Sequence, residues 1–451
     1  MIFCGDTLMA ITPNNVLQNV QLYIKSELAQ LSNSFWGIEN ANKSLIEFND
    51  KKGNLGDVIT FNTTPRYISY DGLVITQQPS VQRIQSLICS QAKNVSAGYT
   101  DEQFIFNVRD YMDQFGTAAA EELGTAIETD ILLNIVSGVV GMNPKSPEFG
   151  LPQVNSGPYR FFGDGVTPIN SYTQLAQAWA NFVAYGASKH KRRGVIPVDL
   201  VPAIVGTGLN QFAMKRNDEI ATSWELGRFA GMDVDWSSSN LLPLHIAGTI
   251  GNAVAPNNIM TVVSTNDPTG VNVTAITFTE PTSGTSASAI KAGDLMQFVD
   301  GVSGQPNMRF LTFVGHKQTR LPVQFRAIAD AATVGGAVTI QIQTINSVGL
   351  VSAQNQNQNI NNVIQAGMKV SVLPSHQAGW MDAGNQFYLA MPKLPNESPF
   401  ETVYYRDPDS GASLRHYWGS QFGKDNRAYV RDSTWGSTMV AEDSMRMIFP
   451  M

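Results

Sequence analysis

Residues 56–136 limit most sharply what this chain can fold into. Two strand-like pieces, GDVITFNTTPRY and SVQRIQSLICSQAKNV, frame a polar stretch, RYISYDGLVITQQPS, with turn signals at Asp71-Gly72 and Pro79. The strands centre on Ile59–Phe61 and Ile84–Ile88. TDEQFIFNVRDYMDQFGTAAAEELGTAIETDILLNIV follows, with Phe104, Val108, Met112, Phe115, Ala119, Leu123, Ile127, Ile131 and Ile135 recurring at helical spacing. Thr100 and Gln103 form a capping box, and Asp101 and Glu102 occupy the first turn, where the helix dipole favours acids. A continuous helix over 101–136 would be about 54 Å long at roughly 1.5 Å per residue. Gly116 and Gly124 each cost about 1 kcal/mol inside it and mark bends or close packing. The repeated i, i+4 spacing drifts around the cylinder, so a heptad coiled coil is excluded. Few loop positions can form a buried cluster, and a loop of this length cannot offset its ordering entropy alone. It is either an ordinary edge hairpin or a loop that packs on a neighbouring subunit. A compact enzyme domain seldom needs such a hairpin and helix; a shell built from copies of one chain uses both.

Residues 14–31 have helical spacing (Val16, Leu17, Val20, Ile24, Leu28, Leu31) but no core of their own, and NDKKGNLGD breaks the chain after them. After a Gly, Pro and Asn-rich stretch at 138–170, a helix is expected near Ser171–Ala187, with Leu175, Trp179, Phe182 and Val183 on one side. VIPVDLVPAIVG (195–206) reads as a buried strand region interrupted by prolines, and 208–217 and 223–227 as short helices or turns. From Trp236 to about residue 375 short apolar runs alternate with Gly, Asn, Ser and Pro, as in an all-β barrel or sandwich. SAQNQNQNINN (352–362) is an amide-rich loop in or beside it. Near the C-terminus, Thr402–Tyr405 and Leu414–Trp418 flank Asp407-Pro-Asp-Ser-Gly411, a β-hairpin signal, with further strands at Arg427–Val430 and Met445–Phe449.

Length bounds the chain at about three domains. Hydrophobic residues make up 43% of 451, charged residues only 15%, well under the roughly 25% of ordinary domains. Low charge weakens self-repulsion and suits a protein meant to associate. The net charge of −7 argues against a dedicated nucleic-acid binder; the basic cluster Lys189, His190, Lys191, Arg192, Arg193 reads as a solvated loop. Cys4 and Cys89 have no metal-ligand spacing and are too few for a disulfide framework. No signal peptide and no membrane span are expected. Phosphate-loop, nucleophile-elbow and H-E-x-x-H patterns are missing, and the five histidines are scattered. GSQFGKD (419–425) lacks the spacing and hydroxyl of a nucleotide loop, and Asp407 and Asp409 read as turn residues rather than calcium ligands. No catalytic, cofactor or metal residue is therefore assigned.

Several segments in order resemble the major coat protein of tailed double-stranded DNA bacteriophages, in the short-tailed branch whose coat protein carries an inserted β domain. They are GDVITFNTTPRY, QPSVQRIQSLICSQAKNVSAGYTDEQFI, the helix ending ETDILLN, ELGRFAGMDVDWSSSNLLPLHIAGT, AIKAGDLMQFVDGV and the strand ending AMPKLP. The resemblance spans nearly the whole chain and is carried by order and spacing more than by any one motif. It implies an α+β, Hong Kong 97-like capsid fold with a long spine helix, an extended β-hairpin loop and an inserted all-β barrel of six strands. Residues 1–52 would be the N-terminal arm and 53–95 the extended loop. Residues 96–235 would hold the peripheral domain, with the spine helix at 96–137, and the first part of the axial domain. Residues 236–375 would be the inserted barrel, and 376–451 the rest of the axial and peripheral domains.

The same resemblance implies a self-assembling subunit of an icosahedral virion shell, built as hexamers and pentamers in the host bacterial cytoplasm around double-stranded DNA held by weak non-specific contact. Expected partners are further copies of the chain, a separate scaffolding protein, a portal at one vertex and decoration proteins; no cofactor and no membrane are expected. Assembly contacts fall on Arg66, Tyr67, Tyr70, Asp71 and Gln77 of the extended loop. An inter-capsomer loop is expected at STNDPTGVN, through Asn266, Asp267 and Thr269, and the spine-helix cap is Thr100 with Gln103. Two rival readings are an encapsulin-type compartment, against which the β insertion argues, and a hydrolase or sugar-binding protein with a β module.

Overall fold

The computed structural model describes residues 58–63, 83–89, 91–99, 117–136, 158–187, 192–206, 234–281, 288–312, 314–342, 349–383, 387–394, 401–406, 413–420, 427–439 and 444–451, together with short pieces at 37–38, 41–42, 65, 67–70, 72, 77–78, 139–140 and 153–154. Strands β1 (Val58–Thr63) and β2 (Arg83–Ile88) pair antiparallel, Val58 opposite Ile88 and Thr63 opposite Arg83. The strand centres expected from the sequence lie inside them. β3 (Gln91–Tyr99) follows, then helix α1 (Thr117–Leu133). The Thr100/Gln103 cap and residues 101–116 lie outside the described residues, as do the helix expected at 14–31 and the segments at 208–217 and 223–227. At its other end the helix is shorter than the spacing predicts. Asn134, Ile135 and Val136 form a turn, donating to the carbonyls three residues back (Ile131, Leu132, Leu133) at 2.9–3.1 Å; such bonds tighten a helix end by satisfying its last carbonyls. Leu123, Ile127, Ile131 and Leu132 make the buried stripe of α1.

β4 (Val139–Val140) pairs with β5 (Gln153–Val154), and β6 (Phe161–Phe162) leads to α2 (Tyr172–Ala184). The Ser171 hydroxyl accepts the Gln174 N–H at 3.3 Å, and Gln174 Oε1 accepts the Asn170 N–H at 2.9 Å; this capping-type exchange fixes where α2 starts. Leu175, Ala178 and Phe182 form its buried face. β7 (Arg192–Pro197) ends sooner than the strand reading of 195–206 allows. A 3-10 turn at Val198–Leu200 and helix α3 (Val201–Gly206) complete that segment. Pro202 falls in the first turn of α3, where its missing N–H costs no intrahelical bond. β8 (Val234–Ser239) and β9 (Leu244–His245) follow.

The next eight strands are β10 (Ile259–Thr265), β11 (Ala275–Thr279), β12 (Leu295–Phe298), β13 (Arg309–Leu311), β14 (Gln318–Pro322), β15 (Gln324–Arg326), β16 (Ala337–Gln341) and β17 (Lys369–Val372). Six form an antiparallel sheet in the order β15-β12-β17-β10-β11-β16. Its outer strands meet just past their ends, where Ala327 bridges Ile342 and Ile328 donates to the Gln341 carbonyl at 3.0 Å, so the sheet curls onto itself. β13 and β14 form a separate hairpin. Alternation places Met260, Val262, Ile276, Phe278, Met296, Phe298, Val338, Ile340, Val370 and Val372 inside, and Phe325 packs on Phe298 with ring centres 5.6 Å apart.

β18 (His376–Ala383) returns to the first part of the chain and lies at the centre of a second sheet, ordered β6-β23-β18-β7-β8, with β9 also paired to β18. β23 (Ser444–Phe449) and β7 flank β18 antiparallel, while β7 and β8 run parallel. In that last pair Gly194 faces Trp236. A Cβ on Gly194 would lie 2.5 Å from the indole ring, so glycine leaves the gap that the tryptophan fills. A third sheet is organised by β22 (Arg427–Met439), whose length lets it pair with β3 and with β21 (Ser413–Ser420) along its first part and with β19 (Phe387–Ala390) along its last. β20 (Glu401–Arg406) and β21 are the hairpin expected around 407–411. One buried cluster runs from α2 and Trp236 into the β10–β17 interior; another joins α1, Trp380, Trp435 and Ile38.

Candidate assembly surfaces

The base of the β1–β2 hairpin is anchored by a small apolar cluster of Ile59, Leu87, Cys89 and Ala390. Cys89 is a buried thiol outside any disulfide. Beyond the base, Gln78 ties the two sides of the loop: its Oε1 accepts the Ile68 N–H at 2.9 Å, and its Nε2 donates back to the Ile68 carbonyl. The amide thus mimics a strand neighbour and holds the loop where backbone pairing has ended. Tyr67 and Tyr70 are 55% and 53% exposed, and Gln77 is exposed beside the clamp. Arg66 and Asp71 lie outside the described residues. Sequence reasoning chose the tyrosines and missed Gln78, because nothing in a lone glutamine marks it as a cross-loop clamp.

The 264–272 loop is built by its own side chains. Asn266 Oδ1 accepts the N–H groups of Thr274 and Ala275, both at 3.0 Å. Asp267 accepts from the Thr269 hydroxyl, from the Thr269 N–H at 2.9 Å and from the Asn272 N–H at 2.7 Å. The Thr269 hydroxyl and these amides hold the Asp267 carboxyl below the usual carboxylate range. The three expected residues are therefore brought together, in an Asx-type network that gives an exposed loop one shape. Val263 and Val271 stand exposed beside it.

A third feature was not foreseen from sequence: the joint between the β10–β17 unit and the central sheet. Gln324, on β15, binds the backbone of Phe161 in both directions, accepting its N–H at 3.0 Å and donating to its carbonyl at 3.1 Å. The Tyr185 hydroxyl donates to Gln324 Oε1 at 2.7 Å. Nearby, buried Asp294 accepts from His245 Nε2 at 2.7 Å, from the Gly248 N–H at 3.1 Å and from the Lys291 N–H at 2.8 Å. Arg446 of β23, fully buried, donates to the Gly293 carbonyl at 3.0 Å. Gly293 has φ +94°, and a Cβ there would strike the Val136 carbonyl at 2.3 Å; only glycine lets the turn pass between α1 and His245. Burial, with Arg446 and Arg326, pushes His245 down against the pull of Asp294. Burial and then Arg446 push His376, whose ring centre is 5.2 Å from that of His245, down to about 2. Both imidazoles are neutral at pH 7, so His245 and Asp294 form a hydrogen bond rather than an ion pair. The sequence clue was the Gly-Asp of AIKAGDLMQF, which reads locally as a turn.

Among the described residues no group of three or more His, Cys, Asp or Glu side chains is placed to hold a metal ion, and no helix is long and apolar enough to cross a membrane. An open cavity of about 500 Å³ lies at the joint, lined by Phe161, Val254, Asn258, Gln297 and Leu373 among others.

Residues 206–391 match the model of the family described as P22 coat protein, gene protein 5. The matched stretch contains the whole β10–β17 unit and β18, while Phe161, Tyr185 and Arg446 of the joint lie outside it. Over that stretch, less than half of its length, the chain is similar to the P22 coat protein family. No curated relative matches the chain. Similar solved structures include Mycobacterium phage Che8 at 8% identity, covering 92% of this chain and 90% of that one with a TM-score of 0.40. The capsid of cyanophage P-SCSP1u is 9% identical over 88% and 85%, at 0.37. The mature capsid of bacteriophage PhiM1 is 9% identical over 90% and 87%, at 0.36. Likenesses this weak carry no argument.

Proposed function

We propose that this chain is the major shell subunit of a short-tailed phage, with a Hong Kong 97-like fold, assembling as hexamers and pentamers. The observation that carries the reading is the coat-family match over the stretch that includes the β10–β17 unit. On this reading residues 1–52 are the arm, 53–95 the extended loop and 236–375 the inserted domain, with peripheral and axial domains in 96–235 and 376–451. The loop presents Tyr67, Tyr70 and Gln77 to a neighbouring subunit, and Arg66 and Asp71 belong to the same contact. Exposed aromatic side chains on a clamped loop favour this role, because tyrosine supplies contact area at low entropic cost. Such contacts are heterologous and close into rings, and many weak ones sum to a stable shell. The loop of Asn266, Asp267 and Thr269 is the contact between capsomers; its internal bonding supports this by fixing its shape in advance. Thr100 and Gln103 cap the spine helix. A separate scaffolding protein, a portal and decoration proteins are the further partners. The net charge of −7 favours weak, salt-sensitive contact with packaged DNA.

Electron microscopy of the chain expressed with and without its scaffolding protein tests the reading. Closed particles are expected; a soluble species of 49.1 kDa that never assembles would overturn it. Deleting residues 65–80 should leave a folded subunit and abolish assembly, and shells that form normally without them would remove the loop from the contact.

A further inference from the structure

Glu128 stands on the buried face of α1 and is 1% exposed. Its carboxylate reaches out of the helix to another part of the chain: Oε1 accepts the Gly37 N–H at 2.7 Å and Oε2 the Ile38 N–H at 3.2 Å. Gly37 lies directly over the group, since a Cβ there would fall 2.9 and 3.1 Å from the two oxygens and 2.8 Å from Ile131. Ile38 is buried in the same apolar cluster as Ile127, Ile131 and Trp435. Four residues on, Asn42 donates to the Phe387 carbonyl at 2.6 Å and accepts from the Leu389 N–H at 3.3 Å. The 37–42 segment is thus pinned at one end by Asn42 on β19 and at the other by a carboxyl group that it covers.

We propose that Glu128 is a proton-operated latch, holding the 37–42 segment on α1 when protonated and releasing it when ionised. A charge sealed under an apolar segment is costly, whereas a neutral carboxyl is tolerated there and still accepts the Gly37 N–H. Burial pushes Glu128 up to about 7, and the Gly37 and Ile38 amides only partly oppose it. Among the described residues, the other charged groups on the packed elements are occupied or solvated. Lys93 of β3 pairs with Asp130 at 3.0 Å, Glu121 and Glu122 are exposed, and on β22 Asp432 pairs with Arg415 while Arg431 is buried. None of them is a source of the Glu128 shift. Lifting the segment opens the carboxyl to water and returns it toward the ordinary 4.5. The docked state then binds the proton more tightly than the released one. Docking is favoured fully below about pH 4.5, weakens by at most about tenfold per pH unit up to about 7, and changes little above.

The inference does not depend on assembly and is tested on the unassembled full-length chain. Hydrogen exchange of the 37–42 amides, corrected for intrinsic rate, should lose close to tenfold protection per pH unit between about 5 and 6.5 and level off above 7. Glu128→Gln should remove that dependence, and Asp130→Asn should keep it. A flat wild-type profile overturns the latch whether or not the Gln variant folds. A slope that survives in Glu128→Gln, or disappears in Asp130→Asn, overturns it equally.

Discussion

Asp294 should be among the most costly side chains to remove from this subunit. It accepts three buried hydrogen bonds, from His245, Gly248 and Lys291, and it is fully buried with Arg326 and Arg446. Truncation to alanine leaves two buried backbone N–H groups without their acceptor, at about 1–3 kcal/mol each. It also takes from buried Arg446 the carboxylate charge that acts on it, and leaving a buried charge uncompensated costs about 3–5 kcal/mol. These terms overlap, so a loss of about 4 kcal/mol or more is expected for Asp294→Ala. Asp294→Asn keeps an acceptor but not the charge, and should lose about half as much. The control is Asp300→Ala. Asp300 pairs with Arg309 at 2.6 Å, but its side chain is 44% exposed, and an exposed pair is worth about 0–1 kcal/mol. Denaturant unfolding of the unassembled subunit, followed by tryptophan fluorescence, reads both. If Asp294→Ala and Asp300→Ala shift the free energy of unfolding equally, the joint is not held by a buried charge and the reasoning fails.

Burial and Arg431 push His416 down to about 3, so the unfolded chain takes up a proton near pH 6.5 that the folded chain refuses. Its stabilising effect is complete above that pH and is lost as the pH falls toward 3, at about 1.4 kcal/mol per pH unit; His376 acts in the same sense. His416→Asn should therefore flatten the fall in unfolding free energy between pH 6 and 4 by one proton, and an unchanged slope would contradict the burial argument. Glu128, shifted upward, acts in the opposite sense and cannot produce the acid loss. Gly194→Ala places a methyl group 2.5 Å from the Trp236 ring and should cost about 1–3 kcal/mol by overpacking; a melting temperature within a degree of wild type would show that the strand pair relaxes freely.

Much of the architecture was legible because it is written in local periodicity. The short alternating runs from 259 to 372 became the six-stranded sheet and the β13–β14 hairpin, and the strands expected on either side of residues 407–411 paired. Ser171 and Gln174 marked the start of α2 through bonds spanning three residues. The misreadings were local as well. Pro202 was taken as interrupting a strand, although proline also suits a helix's first turn. The run of apolar residues to Ile135 suggested helix beyond Leu133, because periodicity does not register where the last carbonyls turn to closer partners.

The surfaces divide along the same line. Tyr67, Tyr70 and the Asn266–Thr269 loop stood out because large aromatics and Asx turns carry meaning within a few residues of sequence. Gln324, Asp294, Arg446 and Glu128 did not, because their partners lie far along the chain: Phe161 for Gln324, His245 for Asp294, Gly293 for Arg446 and Gly37 for Glu128. A polar side chain in a strand or helix reads as a solvent-facing position until tertiary packing closes over it. The sequence alone determined where many strands and the helices at Thr117–Leu133 and Tyr172–Ala184 would form, since local sterics and hydrophobic alternation act over a few residues. Only the tertiary structure decided which polar groups would be buried and what would satisfy them, since that depends on contacts between distant segments that no local pattern records.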